Sequence, residues 1–237
     1  AFVVEYRLGP DHRHPAMLQD AQRAVRLVRS RAADWGIDGS RIGVIGFSAG
    51  GHLASTVGTH YDDEVPTAGD AVDQVSARPD FMMLIYPVVT MQLSHTHRGS
   101  RNNLLGDEPA DSLVWALSNE TQVTPESPPA FLVHTTDDSA VPFENSLLLY
   151  SGLRQAGVPV EMHVFETGRH GFGLGPDNPV LSAWPGLAER WMQAHGRLVH
   201  KDELGFGNGV ERDVFFSQSS TSEVDGFFFS PGVSRMS

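Results

Sequence analysis

The sequence predicts an α/β domain, with a mostly parallel sheet wrapped on both faces by helices. Two patterns carry that expectation. Over the first 198 residues, short β-branched apolar runs alternate with longer segments whose apolar residues recur every three or four positions. One run, Phe81 to Val89, is apolar almost throughout, as a strand must be when helices cover both faces of its sheet. Composition agrees: of 237 residues, 40% are hydrophobic and 19% charged, which is the balance of a chain that buries a sizeable core.

The elements follow in order. Ala1–Leu8 reads as a strand that Pro10 and Pro15 end. From Pro15, the residues Met17, Ala21, Val25, Val28, Ala32 and Trp35 mark one face of an amphipathic helix, with Pro15 suited to its first turn and Gly36 to the position past its end. Arg41–Phe47 reads as a strand and Gly50–Tyr61 as a helix. Strands are expected at Phe81–Val89, Ala130–Thr135 and Val158–Phe165, and helices at Phe143–Gln155 and Ala183–His195. Arg23, Arg26, Arg29 and Arg31 fall opposite the apolar face of the first helix and are expected to be its solvated side.

Two stretches break the rhythm. Residues 91–129 are rich in Ser, Thr, Asn and Pro around one helical patch, Asp111–Leu117, and so long an irregular segment reads as a lid or binding loop. Leu113, Trp115 and Leu117 in that patch would either line a pocket or form the small core of the lid itself. The tail, 199–237, is expected to be disordered on its Ser/Gly composition. The alternative is a hairpin of Val214–Ser217 with Gly226–Ser230.

Between the strand at Arg41–Phe47 and the helix after it stands Gly46-Phe47-Ser48-Ala49-Gly50, which fits G-x-S-x-G in the context that motif requires. On such a strand-to-helix turn Ser48 would project above the sheet. The backbone N–H of Ala49 and the helix N-terminus would face the same point, ready to receive an oxyanion. A serine needs a base, and the base a carboxylate to orient it. In this topology the acid follows a later strand and the histidine follows the last one. Asp138 follows the strand at Ala130–Thr135, with Asp137 as its fallback, and His170 follows the strand at Val158–Phe165 within Gly168–Gly173.

These segments, with His134–Pro142, resemble the α/β-hydrolase superfamily. More narrowly, they resemble the bacterial acetyl esterases, acetylxylan esterases and feruloyl esterases, and the likeness covers residues 1–198. Tyr6-Arg7-Leu8-Gly9-Pro10 and Asp34-Trp35-Gly36-Ile37-Asp38 are also similar to that group. The family pattern D-x-x-V-P, counted back from Val141-Pro142, places the acid at Asp138. The resemblance implies the α/β-hydrolase fold. It also implies a Ser48–Asp138–His170 triad with Ala49 in the oxyanion hole, and hydrolysis of a short-chain acyl or feruloyl ester, on a carbohydrate or a small molecule, without metal or organic cofactor. Other triad hydrolases, a formamidase or a prolyl-oligopeptidase-like peptidase, are the enzymatic alternatives, and a catalytically impaired α/β-hydrolase fragment or binding domain is the non-enzymatic one. The family carries a His-Gly-Gly-type loop upstream that this chain lacks. Its first strand resembles the fourth of the fold, so the domain is expected to be N-terminally incomplete.

The remaining features narrow the reading by exclusion. A formal charge of −12 argues against a sequence-independent grip on nucleic acid and against docking on anionic membranes. The absence of cysteine excludes a disulfide framework, a thiolate metal site and a cysteine nucleophile, and leaves the compartment open. No stretch reads as a secretory signal or membrane span. The pairs His12/His14 and His95/His97 lack a third ligand at metal-site spacing and are expected to face solvent. His52 is expected to pack or hydrogen-bond rather than act as a second base, and His134 to be structural. Gly205-x-Gly207-x-Gly209 lacks the βαβ frame of a nucleotide loop.

Overall fold

The computed structural model describes residues 1–62, 69–198 and the backbone of 226–229. Four parallel strands form one side of the sheet: β2 (Gly43–Phe47), β3 (Phe81–Ile85), β4 (Ala130–Thr135) and β5 (Val160–Phe165), paired in that order with β5 at the edge. On the far flank of β2 the strand β6 (Gly226–Phe229) runs antiparallel, and β1 (Phe2–Val3) pairs with β6 at the edge. Among the described residues the sheet therefore has six strands in the order β1-β6-β2-β3-β4-β5. Of the tail, Gly226–Phe229 is a strand; the other residues of 199–237, including Val214–Ser217 of the alternative hairpin, lie outside the described residues.

Strand pleating sorts the core into two layers. Val44, Met82, Leu84, Ala130 and Leu132 face α1 (Ala16–Ser30), α2 (Ala49–Thr59) and α5 (Glu144–Gln155). Ile45, Phe47, Phe81, Met83, Ile85, Phe131 and Val133 face α6 (Trp184–Ala194), where Trp184, Ala188, Trp191 and Met192 meet them. Every residue of β2, β3 and β4 is buried, as the continuous apolar runs require.

Some elements end sooner than their composition suggests. The first strand stops at Val3, and by Arg7 the chain is held by α1: the Arg7 amide donates to the Asp20 carboxylate at 2.9 Å. α1 stops at Ser30, and Trp35 stacks on Phe2 with ring centroids 4.9 Å apart. The arginine side of α1 is solvated only in part: Arg31 is exposed as expected, pairing with Asp34 at 3.2 Å, whereas the other three are covered to different degrees. Arg26 is buried, with its Nε donating to the Val75 carbonyl, and Arg29 pairs with Asp80 at 2.9 Å. Arg23 holds Asp70 and Asp73 at 2.6 and 2.7 Å. The cause lies in the segment 69–80, whose carboxylates and carbonyls cover that face and give the guanidinium groups partners there.

The 91–129 stretch contains two helices, α3 (Arg98–Leu105) and α4 (Asp111–Ala116). α3 has too few apolar residues to show a period, and its start is fixed by a side chain: His97 Nδ1 accepts the Ser100 amide at 3.2 Å. Val88, Met91, Leu104, Leu105, Leu117 and Val141 form a separate apolar cluster beneath these helices, with Leu113 against it. Trp115 is 58% exposed. No helix among the described residues is long and apolar enough to cross a membrane.

Candidate active site

The C-terminal ends of the parallel strands converge on one point, where ligands bind in open α/β sheets. Ser48 follows β2 with φ 52 and ψ −119, a backbone conformation that side chains rarely adopt. The turn is possible because a Cβ on Gly46 would collide with the Gly50 carbonyl, and glycine has none. The Ser48 amide donates to the Ile85 carbonyl at 3.1 Å, and its own carbonyl accepts from Gly51, His52 and Val88. With α2 starting at Ala49, the Ala49 amide sits in the first turn, where N–H groups have no acceptor within the helix.

The structure brings Ser48, His170 and Asp138 into one line. Ser48 Oγ lies 2.8 Å from His170 Nε2, and His170 Nδ1 lies 2.6 Å from Asp138 Oδ2. Because the carboxylate can only accept, His170 Nδ1 carries the proton and Nε2 offers its lone pair to the serine hydroxyl. Asp138 also accepts the Ala140 and Val141 amides on Oδ1, both at 2.9 Å. Burial by itself would raise its pKa, but the donors from His134, His170 and Val141 outweigh it and hold the carboxyl well below the usual range. Asp137 is not in this line; its Oδ1 accepts the Gly168 amide at 2.7 Å. The two neighbours thus divide the work, one facing the histidine and the other tethering the loop that carries it.

That loop is fastened at several further points. Thr135 Oγ1 donates to the Gly168 carbonyl at 2.6 Å. Gly171, with φ +74, lets the chain turn directly after His170. The Gly173 amide donates to the Tyr86 hydroxyl at 3.2 Å, and Trp184 Nε1 donates to the Gly173 carbonyl at 2.9 Å. Tyr86 itself leaves β3 at φ 39 and sets its ring edge-on to both His170 and Phe172, with centroids 5.0 and 4.6 Å away. Nothing in the sequence around Tyr86 marks it apart from the apolar run, so its place at the site emerges only on folding.

A cavity of about 500 Å³ opens over Ser48 and His170. Its walls come from the N-terminal segment (Tyr6, Leu8, His14, Met17), from α2 (His52, Leu53, Thr56) and from the 91–129 stretch (Met91, His97, Ser100, Asn103, Leu104, Leu117). Leu117 thus belongs to both the small cluster and the cavity. His14 and His97, expected at the solvent surface, are partly buried and line this cavity instead. His52 is buried, its Nε2 donating to the Leu117 carbonyl at 2.8 Å.

Against this geometry the comparisons with known proteins are direct. A sequence profile of the BD-FAE family matches residues 1–153. The chain belongs to the BD-FAE family. This BD-FAE chain is 49% identical in sequence to the acetyl ester-xyloside bifunctional hydrolase of Caldicellulosiruptor lactoaceticus. Its structure superposes on that enzyme with a TM-score of 0.78 over 81% of this chain and 70% of the other. A carboxylesterase from Lactobacillus plantarum is 30% identical, with a TM-score of 0.65 over 81% and 72% of the two chains. These neighbours are α/β-hydrolases, and that is the fold here. Among curated relatives, the acetylxylan esterase of Xylanibacter ruminicola is 35% identical over 178 residues, covering 73% of this chain and 34% of that protein. Endo-1,4-β-xylanase B of Butyrivibrio fibrisolvens is 38% identical over 191 residues, 78% of this chain and 29% of that protein. The chain therefore spans about a third of the length of these curated relatives.

Proposed function

We propose that this BD-FAE chain is a serine esterase that removes a short acyl group, acetyl or feruloyl, from a carbohydrate. The observation that carries the reading is the line Ser48 Oγ–His170 Nε2–Asp138 Oδ2, at 2.8 and 2.6 Å, whose Ser48 and His170 line the 500 Å³ cavity. Its relatives named as acetylxylan esterase and acetyl ester-xyloside hydrolase support the acyl and sugar halves of the substrate.

In this reading His170 Nε2 takes the Ser48 proton as Oγ attacks the ester carbonyl. The tetrahedral oxyanion forms against the Ala49 N–H, which is one arm of the oxyanion hole. Asp138 keeps His170 in the productive tautomer and stabilises the imidazolium. His170 then delivers its proton to the departing sugar oxygen, leaving the acyl group on Ser48. Water, deprotonated by His170, attacks the acyl-enzyme, and the acid leaves as Ser48 regains its proton. The largely apolar cavity wall of Leu8, Met17, Leu53, Met91, Leu104 and Leu117 would receive the acyl group, and a cavity of this size has room for an aromatic one.

The test is a fluorophosphonate mass shift on the intact protein, together with a panel of p-nitrophenyl acetate, p-nitrophenyl butyrate, acetylated xylo-oligosaccharide, methyl ferulate and an aminoacyl anilide. One label per chain, lost in Ser48→Ala along with roughly 10⁴–10⁶ of kcat, is the expected result. Turnover of the anilide in preference to every ester would overturn the substrate assignment, and folded protein that takes no label would overturn the mechanism.

A further inference from the structure

We propose that His134 is a positioning residue of this site, supplying a second imidazole N–H to the carboxylate oxygen that holds His170. The inference rests on the serine-esterase reading above and adds a member that the three-residue line leaves out.

His134, on β4, is completely buried. Its Nε2 lies 3.0 Å from the Val141 carbonyl and 3.4 Å from Asp138 Oδ2. Both neighbours are acceptors, so the proton must sit on Nε2. Nδ1 lies 2.8 Å from Ser146 Oγ, at the opposite end of the ring, and the serine hydroxyl donates to it. The tautomer is therefore fixed from both sides. Its Nε2–H is hydrogen-bonded to the Val141 carbonyl at 3.0 Å, with Asp138 Oδ2 as the more distant acceptor at 3.4 Å.

The consequence falls on Asp138. Its Oδ1 is taken by two backbone amides and its Oδ2 by two imidazoles, His170 at 2.6 Å and His134 at 3.4 Å. Three hydrogen bonds hold the carboxylate plane so that Oδ2 points at His170, and the His134 N–H stands beside that oxygen as a weaker fourth contact. The His134 proton also draws part of the charge from Oδ2, tempering how tightly that oxygen holds the His170 imidazolium.

Other ionisable groups are placed around the pair. Asp137, exposed, is engaged by the Gly168 amide, and the Tyr86 hydroxyl by the Gly173 amide. Glu166 and Arg169 flank His170 on its loop, and Glu144 opens α5.

Three variants of the full chain separate positioning from packing. His134→Leu removes both nitrogens. His134→Asn keeps an amide near Ser146 but no donor that reaches Asp138. His134→Gln carries a donor about as far as Nε2. Active-site concentration is set by fluorophosphonate labelling, so only folded enzyme is counted, and kcat/KM for p-nitrophenyl acetate is followed across pH. With one donor fewer, Oδ2 holds the imidazolium more firmly, and activity on the acid side needs that imidazolium to lose its proton. The acid limb should therefore move to higher pH by about half a unit or more in the Asn variant, and in the Leu variant where it folds, and return in the Gln variant. An acid limb unmoved in labelled His134→Asn would overturn the proposal while leaving the esterase reading intact. Wild-type protein that fails to label would overturn both.

Discussion

Asp137 and Asp138 share a residue type and a loop, and differ only in which way the chain points them. Asp138 faces inward, where His170 and two amides converge on it; Asp137 faces outward and accepts the Gly168 amide. Their substitutions should separate accordingly. Asp138→Asn turns an obligate acceptor into a group that can donate to His170 Nδ1, favouring the wrong tautomer, and kcat should fall by about 10⁴. Asp137→Ala only frees one tether of the loop, so its loss of kcat should stay within roughly tenfold. Steady-state kinetics on labelled, folded protein measures both. The family pattern before Val141-Pro142 favours Asp138, yet a one-residue slip reverses a turn's side chains, and only the folded loop shows which carboxylate meets the imidazole.

At the scale of elements, the 91–129 stretch is bound to α2 by a polar seam. Asn119 Nδ2 lies 3.1 Å from the His52 carbonyl, 2.7 Å from Ser55 Oγ and 3.0 Å from Thr56 Oγ1, all buried. His52 Nε2 returns the contact to the Leu117 carbonyl. Since α3 and Leu117 form part of the cavity wall, this seam fixes the shape of the site from a distance. Asn119→Ala should cost about 1–3 kcal/mol, because it strands buried groups without partners, and should raise KM more than it lowers kcat. Urea denaturation and steady-state kinetics check the two halves, and faster amide exchange confined to 91–129 would locate the loosening. The seam is hidden in the sequence because Asn119 lies more than 60 positions from its partners on α2. The strands were legible because burial on both faces writes itself as an unbroken apolar run.

For the molecule as a whole, His52 links folding to pH. Burial pushes its pKa down from 6.5 to about 4, against the opposing pull of the Leu117 carbonyl. The unfolded chain binds a proton there below about pH 6.5, while the folded chain refuses one until about pH 4. Its contribution is thus complete above pH 6.5 and lost progressively toward pH 4. Between pH 7.5 and 4.5 this histidine alone should remove on the order of 2–3 kcal/mol of stability. Asp138, held below the usual carboxylate range, adds a further loss once the pH falls below about 4. Urea midpoints measured across that range should show the decline beginning above the carboxylate region, and His52→Gln should flatten that first part. A wild-type profile flat from pH 7.5 to 4.5 would exclude it.

The sequence by itself determined whatever depends on neighbours along the chain. The strained turn at Ser48 needs Gly46 two residues away; the sheet needs continuous apolar strands; the order of serine, acid and histidine follows from the order of those strands. Tertiary structure decided whatever depends on convergence across distance. Ser48 and His170 are 122 positions apart, and His170 and Asp138 are 32 apart. The choice of Asp138 over Asp137, the ring of Tyr86 against His170, the donor from His134 and the covered arginine face of α1 all arise there. Local backbone geometry restricts which residues a turn or strand accepts, and so leaves a signature in the chain. A side-chain contact between distant segments restricts only where two atoms end up, and that is settled when the segments pack.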